Sequence, residues 1–247
     1  MEIIQDAMVC PVCCGIFLFM LQRHWITKQN SVRPTSRQWI VVDVDKYGSR
    51  RLREVLPDLF LWLEQIDAWI FYAINHGMQN PLFDAIMPVI TNTTYWRPIY
   101  ALALILLAWK GGRTGRICAL VLIVTVAVLD PLSTHLLKET IGRLRPYDVL
   151  GDVHRLINSG SGSFPSNHAL NNSAAAMVLG YFYPRRMWLW WTIAITIAYS
   201  RIYCGVHWPS DVLGGIGIGA LAGWGIVSLL KITPGINDAR HHHARHQ

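Results

Sequence analysis

Three short stretches bring together residue types that handle an oxyanion: Lys138-x6-Arg145-Pro146, Pro165-Ser166-Asn167-His168 and Ser200-Arg201-x5-His207-x3-Asp211. They supply three cations, two histidines and a carboxylate, each near the end of an apolar segment. A tetrahedral oxyanion is held by cations and by backbone N–H groups at a helix start. A reaction at that oxyanion also needs a nucleophile and a proton donor, and histidine serves as either near neutral pH. The set reads as a phosphate-processing site at a membrane surface.

His207 and Asp211 fit the nucleophilic part. An imidazole attacking phosphorus presents one ring nitrogen while the other carries the proton, and a carboxylate on that second nitrogen fixes the tautomer. Asp211 also suits a structural role as N-cap of the helix that follows. Pro165 favours a helix start at Ser166 and Asn167, whose donors are expected to hold phosphate oxygens. His168 then stands where it can protonate a leaving oxygen and later activate water. Lys138, Arg145 and Arg201 form the expected phosphate clamp, with Arg offering a planar fork and Lys a mobile point charge. Arg143 fits either a helper in that clamp or an exposed turn residue. Asp130 and His135, near the end of an apolar span, are left outside the site.

The elements that must position these residues are membrane helices. Of the 247 residues, 52% are hydrophobic and 15% charged, with mean hydropathy +0.29. Such a chain belongs largely in lipid. Apolar segments at 117–137, 187–203 and 212–230 are the clearest spans. Weaker ones lie at 98–109, extended upstream through Tyr95, and at 169–183, where small and polar residues suit helix–helix packing. The expected architecture is an all-α polytopic membrane bundle of about five transmembrane helices, six if the N-terminal part also crosses. Lys110, Arg113 and Arg116, then Arg185 and Arg186, then Lys231 fall on one side under this alternation, which makes that side cytoplasmic. The three motifs fall together on the other face. A bacterial inner membrane, with the site facing the periplasm or exterior, suits that arrangement.

Residues 1–55 form an N-terminal segment of uncertain structure, 56–232 the membrane-embedded domain, and 233–247 a His-rich tail. Residues 8–21 are apolar but short, and acidic Glu2 and Asp6 precede them, unlike a secretory signal. Residues 56–74 mix Leu, Phe and Trp with Asp58, Glu64 and Asp67, as in an amphipathic helix lying in the interface. Five cysteines make no disulfide framework. Cys10-x2-Cys13-Cys14 lacks a second ligand pair, so it reads as small apolar residues rather than a metal site. The formal charge of +7 is dispersed between apolar spans, which argues against nucleic-acid binding.

The three motifs, in this order, resemble the signature of the type 2 phosphatidic acid phosphatase superfamily, integral-membrane lipid phosphatases related to vanadium-dependent haloperoxidases. The resemblance covers roughly residues 81–230. Its pattern has Pro-Ser-Gly-His where this chain has Asn167 in place of Gly. It implies a helical bundle in which His207 forms a phosphohistidine, Asp211 orients it and His168 is the general acid. Lys138, Arg145, Ser166, Asn167 and Arg201 would bind the phosphoryl group, with no metal or other cofactor. Undecaprenyl pyrophosphate is the first expected substrate. Phosphatidic acid, phosphatidylglycerophosphate and lipid A are the alternatives. A lipid phosphotransferase would share every motif, and a non-enzymatic phospholipid binder would need only the cage. A haloperoxidase would use the same cage for vanadate, but five spans and no large soluble helical domain weigh against it.

Overall fold

A computed structural model describes residues 56–160 and 162–233. The apolar segment at 8–21, Cys10, Cys13 and Cys14, and the His-rich tail lie outside the described residues. The chain divides into two compact units, Met1–Ile70 and Phe71–Gln247. The boundary falls inside helix α1, Leu56–Asn75. Within the first unit, Trp62 and Trp69 on α1 are largely exposed.

In the second unit the described residues are helical, with no strands. Helix α2 spans Pro81–Thr91, with Asn80 as N-cap accepting from the Phe83 N–H and Pro81 opening the first turn. Asn92 ends α2 and caps α3, Thr93–Lys110, by accepting from the Thr94 N–H, so the chain turns sharply between them. Helix α4 spans Gly112–Pro131 and continues as a π-helical stretch, Leu132–Lys138, with a last turn Glu139–Ile141. Gly142 stops it in the left-handed region at φ 59°. A short helix α5, Pro146–Val149, precedes a loop to α6, Asn167–Phe182. Helix α7 spans Met187–Tyr203 and α8 Pro209–Ile232.

A helix thus stands over each of the five segments expected to span, as α3, α4, α6, α7 and α8. Two helical stretches, within Gly112–Val149 and at Pro209–Ile232, are long and apolar enough to cross a bilayer. Helix α3 buries none of its side chains, and Leu102, Ile105 and Trp109 point outward. Outward apolar faces also run along α4 through Leu120, Ile123, Val124 and Val128. A soluble bundle would put polar residues there.

The centre of the unit is the contact of α6 with α8. Gly215, Gly219 and Gly223 recur every fourth residue and bring the backbones together. A Cβ on Gly219 would stand 2.1 Å from the Leu170 carbonyl oxygen, and one on Gly215 would stand 2.6 Å from that of Ser166. This is the small-x3-small packing of membrane helices. Val178, Tyr181 and Phe182 of α6 pack with Cys118 of α4 and with Val227 and Leu230 of α8. At the other end, buried Asn75 ties the end of α1 to the end of α7 and to the loop after α5. Its Nδ2 donates to the Tyr203 and His154 carbonyls at 2.8 and 2.9 Å, and its Oδ1 accepts from the His154 N–H at 2.9 Å.

Candidate active site

The last turn of α4, the start of α6 and the α7–α8 connection meet at one end of the bundle, and with them the three motifs. Lys138 comes from the end of the π-helical stretch, Arg145 from the residue before α5, and Arg201 from the last turn of α7. Their side chains are buried, at 5, 2 and 4% exposure. Lys138 lies within electrostatic reach of both arginines. Three cations withdrawn from water at one place are costly unless an anion balances them.

Arg145 is fixed by backbone carbonyls. Its Nη1 donates to Val206 O at 2.6 Å, and its Nη2 to Gly160 O at 2.9 Å and Gly162 O at 3.2 Å. Lys138 Nζ donates to the same Gly162 carbonyl at 3.1 Å. The loop between α5 and α6 therefore anchors two of the three cations. Arg201 Nη1 donates to Thr91 Oγ1 at 2.6 Å, while its buried Nε has no hydrogen-bond partner among the described residues. The Ser166 hydroxyl, wholly buried as N-cap of α6, has none either.

His207 sits in the α7–α8 connection, 1% exposed. Arg145 Nη1 lies 3.3 Å from its Nε2. A guanidinium only donates, so Nε2 is the lone-pair nitrogen and the proton sits on Nδ1. Nδ1 in turn faces Asp211 Oδ2 at 3.5 Å, a separation at the outer limit of a hydrogen bond. Burial pushes the His207 imidazole down to about 3, and the Asp211 carboxylate only partly offsets this. The ring is neutral at physiological pH.

Asp211 is wholly buried and held from several directions. Arg143 Nη1 lies 2.5 Å from Oδ1, and Oδ2 accepts from the Trp208 N–H at 2.9 Å and from the Ser163 hydroxyl. Asp211 is not the N-cap of α8. It stands at the third helical position, and its carboxylate reaches back to the cap residue Trp208. The Ser166 N–H donates to the Asp211 carbonyl at 3.1 Å, which joins the second motif to the third.

His168, on the first turn of α6, lies within electrostatic reach of Arg201, His207 and Lys138. Its Nε2 is 3.1 Å from the Thr91 carbonyl, an acceptor, so Nε2 carries a proton and Nδ1 remains to exchange one. Asn167 stands beside it, but its amide turns to α4 and bonds Asp130, Ser133 and Thr134. That leaves its backbone N–H, at the free end of the helix, as the donor it offers. His135 is exposed and pairs with Glu139 at 3.0 Å, away from the cluster.

The structure thus brings five of the expected residues, Lys138, Arg145, Ser166, His168 and Arg201, to the same end of the bundle as His207 and Asp211, and turns the Asn167 side chain elsewhere. It settles Arg143 against Asp211, not in an exposed turn. Reading the sequence missed Thr91, which holds both Arg201 and His168, and Ser163, which holds Asp211. Thr91 carries no sequence signal, being one threonine at a helix end. Ser163 has a weak one, since it closes the Gly/Ser-rich run before Pro165.

Residues 116–232 match the PAP2 superfamily. A lipid A 4′-phosphatase of Bacteroides thetaiotaomicron is 32% identical over 173 residues, covering 66% of this chain and 76% of that protein. An undecaprenyl-diphosphatase of Sulfolobus acidocaldarius is 36% identical over 122 residues, covering 49% of this chain and 56% of that protein. Among solved structures, Aquifex aeolicus LpxE superposes with a TM-score of 0.55 at 25% identity, covering 66% of this chain and 95% of that one. The likeness spans the helices that carry all three motifs, and this chain belongs to the PAP2 superfamily as an enzyme of its phosphatase class.

Proposed function

We propose that this protein removes a phosphate or diphosphate headgroup from a membrane lipid through a phosphohistidine on His207. The observation that carries the reading is the neutral, buried His207 with Nε2 turned to Arg145 and Nδ1 to Asp211. Around it, the buried Ser166 hydroxyl and Arg201 Nε are donors to which an oxyanion gives partners.

In the first step His207 Nε2 attacks phosphorus, an N–P bond forms, and the bond from phosphorus to the leaving oxygen breaks. For this step His168 must enter as an imidazolium, with Nε2–H on the Thr91 carbonyl. It gives its Nδ1 proton to that oxygen and becomes neutral, while Asp211 stabilises the charge that develops on His207. Lys138, Arg145, Arg201, Ser166 and the Asn167 N–H hold the other oxygens, in a place where burial strengthens each interaction. In the second step His168 takes a proton from water, the water oxygen bonds phosphorus, and the N–P bond breaks to release phosphate.

Charge at the helix ends supports a site on the extracytoplasmic side. Lys110, Arg113, Arg116, Arg185, Arg186 and Lys231 flank the opposite ends of α3, α4, α6, α7 and α8. On that reading these five helices cross the membrane, and the substrate's tail stays in the bilayer. Undecaprenyl diphosphate is the first substrate proposed, in keeping with the Sulfolobus relative. The relative from Bacteroides, matched over more of its length, favours lipid A phosphate as the second.

The test is phosphate release by the purified protein in detergent with EDTA, beside His207→Ala. The panel is undecaprenyl diphosphate, lipid A, phosphatidic acid and phosphatidylglycerophosphate. Release by the parent, with at least ~10³-fold loss in the variant, is the expected result. Equal or absent release from both proteins across the panel overturns it. Release that appears only with a second lipid as phosphate acceptor assigns a transferase instead.

A further inference from the structure

Helix α4 does not finish as an α-helix. From Leu132 to Lys138 it is π-helical, and Lys138 is the last residue of that stretch. At 3.6 residues per turn, side chains five apart on an α-helix diverge by roughly 140°. Bonding from i to i+5 brings such residues back towards one face, and π stretches of this kind concentrate at functional sites. Ser133 and Lys138 are five apart and both buried, whereas Leu132, His135, Leu136 and Glu139 are exposed. The wider turn is what points Lys138 inward.

One side chain grips the turn where the register changes. Asn167 Oδ1 accepts from Ser133 Oγ at 2.8 Å. Its Nδ2 donates to Thr134 Oγ1 at 2.8 Å and to Asp130 Oδ1 at 3.1 Å. Asp130 Oδ1 also accepts from Asn171 Nδ2 at 2.7 Å, one turn further along α6. Both protons of the Asn167 amide and its oxygen are thereby used. Glycine, which the family pattern places here, has no side chain to make any of these bonds.

We propose that Asn167 is a positioning residue: through Asp130, Ser133 and Thr134 it fixes the π register that turns Lys138 into the phosphoryl site. The inference rests on the reading of Lys138 as a phosphate ligand. It assigns this chain a device absent wherever glycine fills the position, and it gives Asp130 a part in the site without contact to substrate.

The experiment measures orthovanadate binding to the full chain in detergent by vanadium NMR, with the thermal midpoint recorded for each variant. The variants are Asn167→Ala, Asn167→Gly, Lys138→Met and the double Asn167→Ala/Lys138→Met. Asn167→Gly guards against a folding failure of the alanine variant. Either Asn167 variant is expected to weaken binding about tenfold, within the roughly 10²-fold that an ångström of misplacement can cost. In the Lys138→Met background the Asn167 change adds less than about twofold, because the group it positions is gone. Losses that add in full, or an Asn167 variant that binds like the parent, overturn the proposal while leaving Lys138 as a ligand. Parent-like binding by Lys138→Met removes the reading of Lys138 and the proposal with it.

Discussion

Arg143 Nη1 lies 2.5 Å from Asp211 Oδ1, so the carboxylate that faces His207 through Oδ2 is also held by a guanidinium on Oδ1. The guanidinium also lies 5.5 Å from the Trp208 ring centroid and donates to Ser210 Oγ at 2.7 Å. Asp211 is thereby held as a carboxylate at a fixed place, with Oδ2, which also accepts from the Trp208 N–H and the Ser163 hydroxyl, facing Nδ1 of His207. Replacing Arg143 by Gln keeps a donor but removes the charge and shortens the reach. The expected outcome is a fall in kcat of about 10- to 100-fold, with KM changed by less than about threefold. Steady-state kinetics on the preferred lipid check this. A rise in KM at unchanged kcat would place Arg143 on the substrate instead.

Thr91 makes the opposite prediction, because it holds a residue proposed to bind the phosphoryl group. Its hydroxyl accepts from Arg201 Nη1, and its carbonyl, which any residue supplies, faces His168. Thr91→Val deletes only the first bond and leaves a buried guanidinium N–H unpaired. KM and the inhibition constant of inorganic phosphate are expected to rise about 3- to 10-fold, and Thr91→Ser is expected to restore both. Failure of serine to restore them assigns the effect to packing.

The site was legible in the sequence where residue type alone limits the role. Lys138, Arg145, Arg201, His168 and His207 are charged or titratable groups at helix ends, and the alternation of apolar segments was enough to put them on one face. What the sequence hid is direction. The same spacing that made Asp211 an N-cap on paper makes it the third helical residue reaching back to Trp208, because Pro209 starts the helix one turn earlier. Asn167 looked like a phosphate donor by position, yet its side chain finds better partners on α4. The π-helical turn leaves no mark in hydropathy. Thr91 is invisible for a different reason: its partners lie 77 and 110 residues away.

His207 links the site to stability. Its folded value of about 3 lies below the ordinary 6.5, and burial is the main cause. A group depressed in this way is neutral in the folded protein while the unfolded chain takes up a proton below about 6.5. Stability is therefore present above that pH and is lost as pH falls from about 6.5 towards 3, at up to roughly 1.4 kcal/mol per pH unit. His207→Asn removes the titrating ring at similar size. Between pH 6 and 4 the parent is expected to lose thermal stability more steeply than the variant by about one proton. Equal slopes would mean that the ring is charged in the folded state.

The glycines of α8 set where the start of α6 lies, and this yields a prediction with an internal control. A Cβ on Gly219 meets the Leu170 carbonyl, and one on Gly215 meets the Ser166 carbonyl and the Ala169 side chain. Backbone cannot rotate aside as a side-chain tip does, so either Gly→Ala change must push α6 away from α8. Overpacking of this kind costs about 1–3 kcal/mol. On the same helix a Cβ at Gly217 meets nothing within 4 Å. Gly217→Ala should then gain up to about 1 kcal/mol from helix propensity alone. The expected order of thermal midpoints is Gly217→Ala at or above the parent, with Gly215→Ala and Gly219→Ala below it. Gly215→Ala should also lose the most activity, because the carbonyl it displaces belongs to Ser166. A Gly215→Ala protein as active and as stable as the Gly217→Ala protein would show that the two helices do not touch there.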